Sequence, residues 1–443
     1  MYDDTIYALS SGLGRAGIAV IRVSGGDAAA ALKVLSAGPL PSPRRAVVRH
    51  LVDPGTEETL DHALVLWLPG PGTVTGEDMA EFHVHGGRAV IAGVLDALSR
   101  VPGLRLAEPG AFTRRAFANG RMDLTRVEGL ADLIDAETAG QRRLALAQSE
   151  GGLAARCTQW RTDLIRALAL IEAEIDFSDE ELPEGLGAEA EALLRQVAAD
   201  MSEVLSSAHA GEMLRDGVHA AILGPPNVGK SSLLNRLARR DAAIVSDVSG
   251  TTRDVIEVRL DLGGVPVILA DTAGLRETDD PVEREGIARA RSRAAGADIA
   301  IWVADLGEMT GVEPDWPEGL TADRRLVVGN KGDLASGDEC PSGIDLQVSA
   351  VTGSGLGRLE SWLSGAALDL VGGAGGASLV GRARQAEALR DALSSLEGGM
   401  DQQEAALVGE EVRLALRALG RLVGTVDVED VLDVIFRDFC IGK

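Results

Sequence analysis

The 443-residue chain has few cysteines and no long hydrophobic run. Its three cysteines, Cys157, Cys340 and Cys440, are far apart in the sequence. This spacing argues against a disulfide framework or a structural zinc site and suits a reducing compartment. No apolar run approaches the roughly 20 residues that a helix needs to cross a bilayer. The stretch "MYDDTIYALS" is acidic, unlike the basic start of a signal peptide. We therefore expect a cytoplasmic protein that does not enter the membrane.

Basic residues are also scarce, because 43 Lys and Arg face 68 Asp and Glu and give a net charge of -25. Such a surface repels a nucleic-acid backbone unless basic side chains are concentrated locally, which disfavours a simple nucleic-acid-binding protein. One arginine-rich stretch exists, containing Arg100, Arg105, Arg114, Arg115, Arg121 and Arg126. It is compatible with an anion site and equally with a solvated helix face.

The hydrophobic pattern changes along the chain and predicts several domains. Residues 1–118 alternate in stretches such as "GIAVIRVSG" and "AEFHVHGG", which is typical of an α+β domain. Apolar residues at helical spacing run through 119–215 and return in 373–443. Residues 216–372 instead contain short apolar runs such as "VPVILAD" and "RRLVVGNKGD". These runs predict buried parallel strands separated by helices.

The simplest arrangement is an α/β domain inserted into a discontinuous all-α domain whose two halves flank it. Each half has few aromatic residues and an incomplete core, so we expect each to need the other. Insertion is tolerated where chain ends lie close together, as they often do in compact domains. A glycine-rich link, "GGAGGASLVGR", marks the end of the inserted domain.

A phosphate-binding motif follows the predicted strand "HAAIL". The sequence "GPPNVGKSSLLN" matches GxxxxGK[ST] between a strand and a helix. Glycines let backbone N–H groups crowd around phosphates, and the helix N-terminus adds partial positive charge. We expect Lys230 to neutralise phosphate oxygens and the Ser231 hydroxyl to ligate Mg²⁺. Alone, such a pattern can match by chance.

Three further motifs identify the nucleotide as GTP. "DTAG" supplies Asp271 to the metal through water and Gly274 to the γ-phosphate. "NKGD" supplies Asp333, whose carboxylate can accept two hydrogen bonds from the guanine edge, and such readout discriminates by roughly 10⁴. "SA" completes the base pocket. The predicted GTP-binding residues are Asn227, Val228, Gly229, Lys230, Ser231, Ser232, Ser246, Asp247, Val248, Ser249, Gly250, Thr251, Thr252, Asp271, Thr272, Ala273, Gly274, Asn330, Lys331, Asp333, Ser349 and Ala350.

The segment "DVSGTTRD" supplies Thr252 as the second predicted Mg²⁺ ligand. Ras-type GTPases carry a glutamine after DxxG to orient the attacking water, but Leu275 stands here and cannot hydrogen-bond water. Either hydrolysis is slow or the catalytic group comes from elsewhere. Arg276, Glu277 and Glu283 are the nearby candidates, with solvated charge as the alternative for each.

Two charged residues of the N-terminal region lie on predicted strand faces. Arg22 shares a face with apolar neighbours, an awkward place for a charge unless another group pairs with it. Glu81 shares a face with His83 and His85. This histidine pair could instead indicate a metal, although a third ligand is lacking.

The motifs "GPPNVGKSS", "SDVSGTTRD", "DTAGLRETDDPVEREGI" and "NKGD", with the terminal "FCIGK", resemble the MnmE (TrmE) family of tRNA modification GTPases. The resemblance covers the whole chain, including "TGEDMAEFHVHGG" and "NGRMDLTRVEGLADLIDA". It implies an N-terminal folate-binding domain that forms a homodimer, a helical domain and an inserted Ras-like GTPase domain.

The resemblance also implies what replaces the missing glutamine. In the family, two GTPase domains meet across their nucleotide faces when K⁺ is bound, and this activates hydrolysis. A cation beside the phosphates stabilises transition-state charge electrostatically. Glu283 matches the residue that activates water and is the predicted catalytic residue. The positions that match the K⁺ ligands are Asn227, Ser246, Val248 and Thr251.

For the folate site, the resemblance implies 5-formyltetrahydrofolate or a related reduced folate as one-carbon donor. A carboxylate suits the pterin edge, and arginines suit the folate carboxylates. The family has lysine at position 121, and Arg is not an equivalent donor. Cys440 is implied as a catalytic residue of a tail that folds back to this site, with a packed structural thiol as the alternative. The matching folate-binding positions are Arg22, Glu81, Arg121 and Lys443.

The function implied is a K⁺-activated GTP hydrolase that works with the FAD-dependent partner MnmG (GidA). Together they add a carboxymethylaminomethyl-type group to the 5-position of the wobble uridine of certain tRNAs. The acidity of the chain fits a division in which basic tRNA-binding surface lies on the partner. A regulatory or ribosome-assembly GTPase without modification chemistry is the alternative, but it leaves the N-terminal and tail residues unexplained.

Overall fold

The computed structural model describes residues 4–12, 14–176, 186–240, 242–244, 257–271, 295–307, 313–317, 319–334, 341–372 and 378–426, with 435, 436, 439 and 442. The chain divides into two compact units, one formed by Met1–Ala131 with Gly420–Lys443 and the other by Asp132–Leu419. The domain boundaries drawn from the sequence at 118, 215 and 372 stay predictions. Among the described residues, no helix is both long and apolar enough to cross a membrane.

The first unit contains a six-stranded sheet in the order β3-β4-β5-β2-β1-β6. Its pairs are antiparallel except for β1 with β6. The strands are β1 (Thr5–Leu9), β2 (Ala16–Ser24), β3 (Val47–Val52), β4 (Thr59–Leu68), β5 (Met79–Gly86) and β6 (Leu104–Leu106). The helices are α1 (Ala28–Ser36), α2 (Arg88–Ser99), α3 (Ala111–Ala118) and α4 (Leu124–Asp135), the last of which extends past Ala131. The strands predicted for "GIAVIRVSG" and "AEFHVHGG" are thus confirmed as β2 and β5.

Alternation along β2 and β5 gives this sheet two different faces. One face buries apolar side chains such as Ile21 and Phe82 in a core that packs against α1 and α2. The opposite face carries Arg22, Glu81 and His83, which are only partly buried. The N-terminal candidate residues therefore lie on the sheet face opposite α1 and α2, where α3 covers the β1 end through Phe112 and leaves Arg22, Glu81 and His83 partly exposed.

The second unit combines a helical part with another six-stranded sheet, in the order β12-β11-β10-β7-β9-β8. The strands are β7 (Val218–Leu223), β8 (Glu257–Leu262), β9 (Val265–Asp271), β10 (Ile299–Asp305), β11 (Arg324–Asn330) and β12 (Leu346–Gln347). The helices are α5 (Ala139–Ser149), α6 (Gly152–Asp176), α7 (Leu186–Ser206), α8 (Ala208–Asp216), α9 (Lys230–Leu237), α10 (Leu356–Leu370), α11 (Ala383–Met400) and α12 (Ala405–Val423). Helix α7 packs against both α6 and α11. In the sequence, α6 precedes all the strands of this sheet and α11 follows them.

Strands β7, β9 and β10 of this second sheet are nearly continuous apolar runs because both faces are covered, whereas the edge strand β8 alternates. Strands β7, β9, β10, β11 and β12 are parallel, and only β8 is antiparallel to its neighbour β9. Parallel strands present their carboxyl ends at one edge, where ligands bind in open α/β sheets. The last residues of β9, β10 and β11 are Asp271, Asp305 and Asn330. The predicted nucleotide motifs therefore follow strands that end at the same edge.

Candidate nucleotide and folate sites

The phosphate loop connects β7 to α9 and depends on its two glycines. Gly224 has a φ of +134°, and a Cβ atom there would lie 2.2 Å from the carbonyl oxygen of Val303. Gly229 has a φ of +93°, and a Cβ atom there would lie 2.4 Å from Nδ2 of Asn330. Both positions combine a left-handed backbone with close packing, which only glycine tolerates. The motif glycines therefore bring the loop against β10 and against the end of β11.

Lys230 is the first residue of α9 and is buried, with 7% of its surface exposed. Its Nζ atom donates hydrogen bonds to the carbonyl oxygens of Gly224, at 2.8 Å, and Pro225, at 2.7 Å. The ammonium group therefore lies within the loop. The N-terminus of α9 adds partial positive charge at this place. This arrangement is an anion site of the kind that the motif predicts.

Asn330 joins the phosphate loop to the loop after β12, which contains the predicted base-pocket residues Ser349 and Ala350 and is named the base loop. Its Nδ2 donates to the carbonyl oxygen of Val228 at 2.8 Å, and its Oδ1 accepts from the N–H of Ala350 at 3.0 Å. The side chain is almost fully buried, so both bonds form away from water. The loops after β7, β11 and β12 are thereby held together. The structure thus brings the predicted residues Val228, Asn330 and Ala350 into one cluster.

The predicted guanine acceptor, Asp333, is exposed and is oriented by a buried neighbour. Ser349 donates a hydrogen bond from Oγ to Oδ1 of Asp333 and accepts one from the N–H of Thr352 at 3.1 Å. Ser349 itself is buried. The carboxylate is therefore fixed on one side, while its exposure leaves it accessible to a base edge.

Sequence reasoning did not single out Asp305, the last residue of β10. Its Oδ1 accepts from the N–H of Gly307 at 2.9 Å, and its Oδ2 forms an ion pair with Nζ of Lys331. Burial alone would raise the pKa of Asp305, but the hydrogen bonds from Lys331 and Gly307 outweigh it and hold the pKa below its usual value. The signal available in the sequence was an acidic residue closing the run "IAIWVAD".

Several predicted residues lie outside the described part of the chain. Around the motifs "DVSGTTRD" and "DTAG", the structure describes the chain up to Ile244, from Glu257 onward and up to Asp271 at the end of β9. Asn227 is described, with an exposed side chain and a left-handed backbone at φ +67°. The predicted residues outside the described ranges are Ser246, Asp247, Val248, Ser249, Gly250, Thr251, Thr252, Thr272, Ala273, Gly274, Glu283, Cys440 and Lys443.

In the first unit, Arg22 and Glu81 lie directly opposite each other on β2 and β5. Nε and Nη2 of Arg22 donate to Oε1 of Glu81 at 3.1 and 3.0 Å. The other oxygen, Oε2, lies 3.2 Å from Nε2 of His83. The need for a partner at Arg22 is therefore met by the second residue predicted for the folate site. The pair is half-buried, and a ligand on this sheet face would reach it.

Arg121 is exposed, and its side chain lies next to Gly76. Its Cγ would lie 3.3 Å from a Cβ atom at Gly76. Within the described part of the chain, no hydrogen bond or ion pair joins Arg121 to Arg22 or Glu81. The structure thus brings together two of the four predicted folate-binding residues.

The tail returns to the N-terminal sheet at Gly442, which is buried. Its carbonyl oxygen accepts a hydrogen bond of 2.8 Å from Oγ of Ser10, just after β1. Two positions earlier on β1, Ala8 is the register partner of Arg22. Phe439 packs in a cluster with Leu124. The described part of the tail is therefore docked on the strand next to the one that carries Arg22.

Three arginines of the basic stretch form ion pairs inside the first unit. Arg115 is almost fully buried and pairs with Glu77 at 3.0 Å and Asp4 at 2.9 Å. Arg105 also pairs with Asp4, and Arg100 pairs with Asp53. Burial raises the pKa of Asp4, but the bond from Arg105 and the charge of Arg115 hold it below its usual value. Arg115 therefore serves neither of the two roles that the sequence left open, whereas Arg100 and Arg105 stay exposed, as the solvated alternative expects.

The histidine pair on β5 is also occupied by carboxylates. His83 contacts Glu81, and Nδ1 of His85 lies 2.8 Å from Oδ1 of Asp61. Among the described residues, no group of three or more His, Cys, Asp or Glu side chains could hold a metal ion. The metal alternative for this pair therefore finds no support in the described region.

Comparisons with known proteins agree over the whole chain. Residues 124–440 match the MnmE helical domain, and residues 5–121 match the N-terminus of the GTP-binding protein TrmE. A tRNA modification GTPase MnmE from Parvibaculum lavamentivorans is 53% identical over 99% of this chain and 100% of its own length. One from Rhodospirillum rubrum is 50% identical over 100% of both chains. The chain belongs to the MnmE family of tRNA modification GTPases.

As a member of the MnmE family, the chain is a GTP hydrolase that takes part in tRNA modification, as the sequence predicted. Among solved structures, Aquifex aeolicus Era with GDP and AlF4⁻ has 25% identity and a TM-score of 0.27. That match covers 33% of this chain and 56% of the Era chain. The MnmE relatives match this chain over its whole length.

Proposed function

We propose that this chain is a K⁺-activated GTPase that modifies the wobble uridine of certain tRNAs with a reduced folate as one-carbon donor. An FAD-dependent partner, MnmG, supplies the redox chemistry, and the product carries a carboxymethylaminomethyl-type group at the 5-position. The observation that carries this proposal is the partly exposed Arg22–Glu81 pair on the sheet face opposite α1 and α2, with Gly442 docked beside the neighbouring strand. A regulatory GTPase without modification chemistry needs neither feature.

The residues of this face fit a folate. Glu81 accepts from Arg22 on one oxygen and lies beside His83 on the other, so its carboxylate is pre-oriented and still has free lone pairs. A carboxylate of this kind suits the donor pattern of an amino-pyrimidinone ring, and Arg22 suits an anionic group. Arg121 and Lys443 are proposed to contact the folate carboxylates, and Cys440 is proposed to lie at the reacting carbon.

Calorimetric titration with 5-formyltetrahydrofolate tests this site. Arg22→Ala leaves Glu81 without its charged partner and removes a ligand contact. We expect affinity to fall by at least about tenfold, the usual size of a charge-assisted hydrogen bond. Arg88→Ala, at an exposed position where α2 begins, is the matched control and should bind as wild type does. Equal affinities for wild type and Arg22→Ala would refute the assignment.

For hydrolysis, the described phosphate loop offers a cation ligand in Asn227. Its side chain is exposed and its backbone is left-handed, and it lies three residues before Lys230, which is buried. An amide oxygen is a suitable ligand for K⁺. Bound K⁺ would add positive charge where the transition state accumulates negative charge. Glu283 is proposed to activate water in place of the glutamine that Leu275 replaces, with Ser231 and Thr252 holding Mg²⁺.

GTPase rates in equal concentrations of KCl and NaCl test the cation. We expect K⁺ to raise the rate by on the order of 10²-fold, the size of one transition-state charge contact. Asn227→Ala should abolish that difference. The control is Asn235→Ala, on the exposed side of α9. If both salts support the same wild-type rate, the cation proposal is wrong.

We further propose that the N-terminal unit forms a homodimer and that the protein works in the cytoplasm. Exposed apolar side chains on its sheet, Ile18 at 64% and Val48 at 69%, favour an interface there.

In a reconstituted reaction with MnmG, tRNA and folate, Cys440→Ser should keep GTP hydrolysis and lose tRNA modification. Retention of both activities would exclude Cys440 from the chemistry.

A further inference from the structure

Lys331 has a backbone conformation that needs an external cause. Its backbone φ is +62°, in the left-handed region that residues other than glycine and asparagine seldom adopt. Such a conformation is strained and persists where the surroundings determine it. Lys331 directly follows Asn330, which ties the base loop to the phosphate loop. The strained residue therefore lies at the junction between those two loops.

Asp305 is the group that Lys331 reaches from this position. Asp305 and Asn330 are register partners at the carboxyl ends of β10 and β11. The carboxylate is held from behind by the N–H of Gly307 and faces the ammonium group of Lys331 with its other oxygen. Asp305 is buried, whereas the Lys331 side chain keeps 34% of its surface exposed. The four-carbon stem of Lys331 thus spans the sheet edge between the two strand ends, with one side open to solvent.

We propose that Asp305 is a positioning residue for guanine-nucleotide binding, because it holds Lys331 so that the lysine stem forms a fixed wall of the base pocket. Asp305 does not itself contact the nucleotide. It acts before binding, because a free lysine side chain has many rotamers and holding it in place reduces the entropy that is lost when the nucleotide binds. The GTPase activity on which this inference rests is that of the family.

The test is a double-mutant cycle on the full-length chain, with GDP affinity as the readout. Asp305→Asn keeps the size of the side chain and an acceptor for Gly307 but removes the charge that attracts Lys331. We expect it to weaken GDP binding about tenfold while the rate at saturating GTP changes by less than about twofold. Lys331→Met should weaken binding by a similar or larger factor. Adding Asp305→Asn to Lys331→Met should then have no further effect, because the partner is already gone.

Asp298 provides the matched control, because it lies just before the opposite end of β10 and accepts a hydrogen bond of 2.8 Å from the N–H of His219. Asp298→Asn should bind GDP as wild type does. Three results would each overturn the proposal. They are a GDP affinity of Asp305→Asn equal to wild type, an equal loss when Lys331→Met is the background, and an equal loss for Asp298→Asn, which would mark a general effect on the sheet.

Discussion

The two sheets of the molecule build their candidate sites in different ways. The parallel sheet of the second unit is covered on both faces, and its site lies at the edge where the strands end. The antiparallel sheet of the first unit has one face that its helices cover only in part, and its candidate site lies on that face. Edge sites are made by loops, which leave the strands free to be apolar. Face sites are made by side chains that replace apolar residues on alternate positions.

This difference decides how each site is written in the sequence. At the edge, one short loop carries several functional residues in a row, as Gly229, Lys230 and Ser231 do. On the face, each strand contributes every second residue, and the partner comes from another strand. Arg22 and Glu81 are 59 residues apart, yet they form one ion pair. An edge site is therefore encoded as contiguous motifs, and a face site as residues that only the strand register brings together.

The largest effect is expected from Lys230→Met, which would sharpen the distinction between the two sites. The substitution removes the buried ammonium group while keeping most of the apolar stem. Because this charge is placed to face the phosphates, we expect GTP hydrolysis to fall by about 10³-fold. Folate affinity, measured by calorimetry on the same variant, should stay at the wild-type value. A parallel loss of folate binding would show that the two sheets do not act as separate sites.

Much of the edge site could be predicted because its physics is local. Gly224 and Gly229 are required by loop conformation, and Lys230 by its place at a helix start, so the short segment "GPPNVGKSS" contains the whole argument. The face site was predictable only in part. Strand alternation showed that Arg22 needed a partner, but Glu81 was assigned to the same site through the family resemblance. The strand register then supplied the contact between them.

The residues that were missed, Asp305 and Arg115, depend on contacts between distant segments. Asp305 pairs with Lys331, which directly follows the next strand, β11, and nothing in "IAIWVAD" identifies that partner. Arg115 lies in an arginine-rich stretch that suggested solvent or an anion, but Glu77 and Asp4 reach it from two other segments. Whether a charge is buried or exposed is decided by tertiary packing, and composition alone does not contain that information.

Arg115→Met is expected to have the second-largest effect, confined to the first unit. The substitution leaves the largely buried Glu77 side chain, 11% exposed, without its charged partner and with Ser24 as a remaining hydrogen-bond donor. Breaking a buried ion pair from one side costs about 3 kcal/mol or more. We expect amide hydrogen exchange in β2 and β5 to accelerate correspondingly, as measured by mass spectrometry on the full chain. Nucleotide affinity should not change.

Arg105→Met is the matched control, because Arg105 also pairs with Asp4 but is far more exposed than Arg115. An exposed ion pair contributes about 1 kcal/mol or less, so exchange in the same strands should change little. If the two variants behaved alike, burial of Arg115 would not be what stabilises this face of the molecule.

The smallest effect is expected from Gly442→Ala, which tests whether the tail belongs to the face site. Gly442 has a φ of +94°, and a Cβ atom there would lie 2.1 Å from the carbonyl oxygen of Leu9. We expect alanine to displace the tail from β1 at a cost of about 1–2 kcal/mol, because the backbone strain and the clash act together. Limited proteolysis of the C-terminus measures the release.

Gly120→Ala separates the two causes, since Gly120 has a φ of +64° with open space around it. Because that control leaves the Ser10 contact intact, the tail should stay protected in it. The contrary result is a Gly442→Ala variant whose tail stays protected and whose folate affinity equals that of the wild type. In that case the sheet face binds its ligand without the tail, and Arg22 and Glu81 alone define the site.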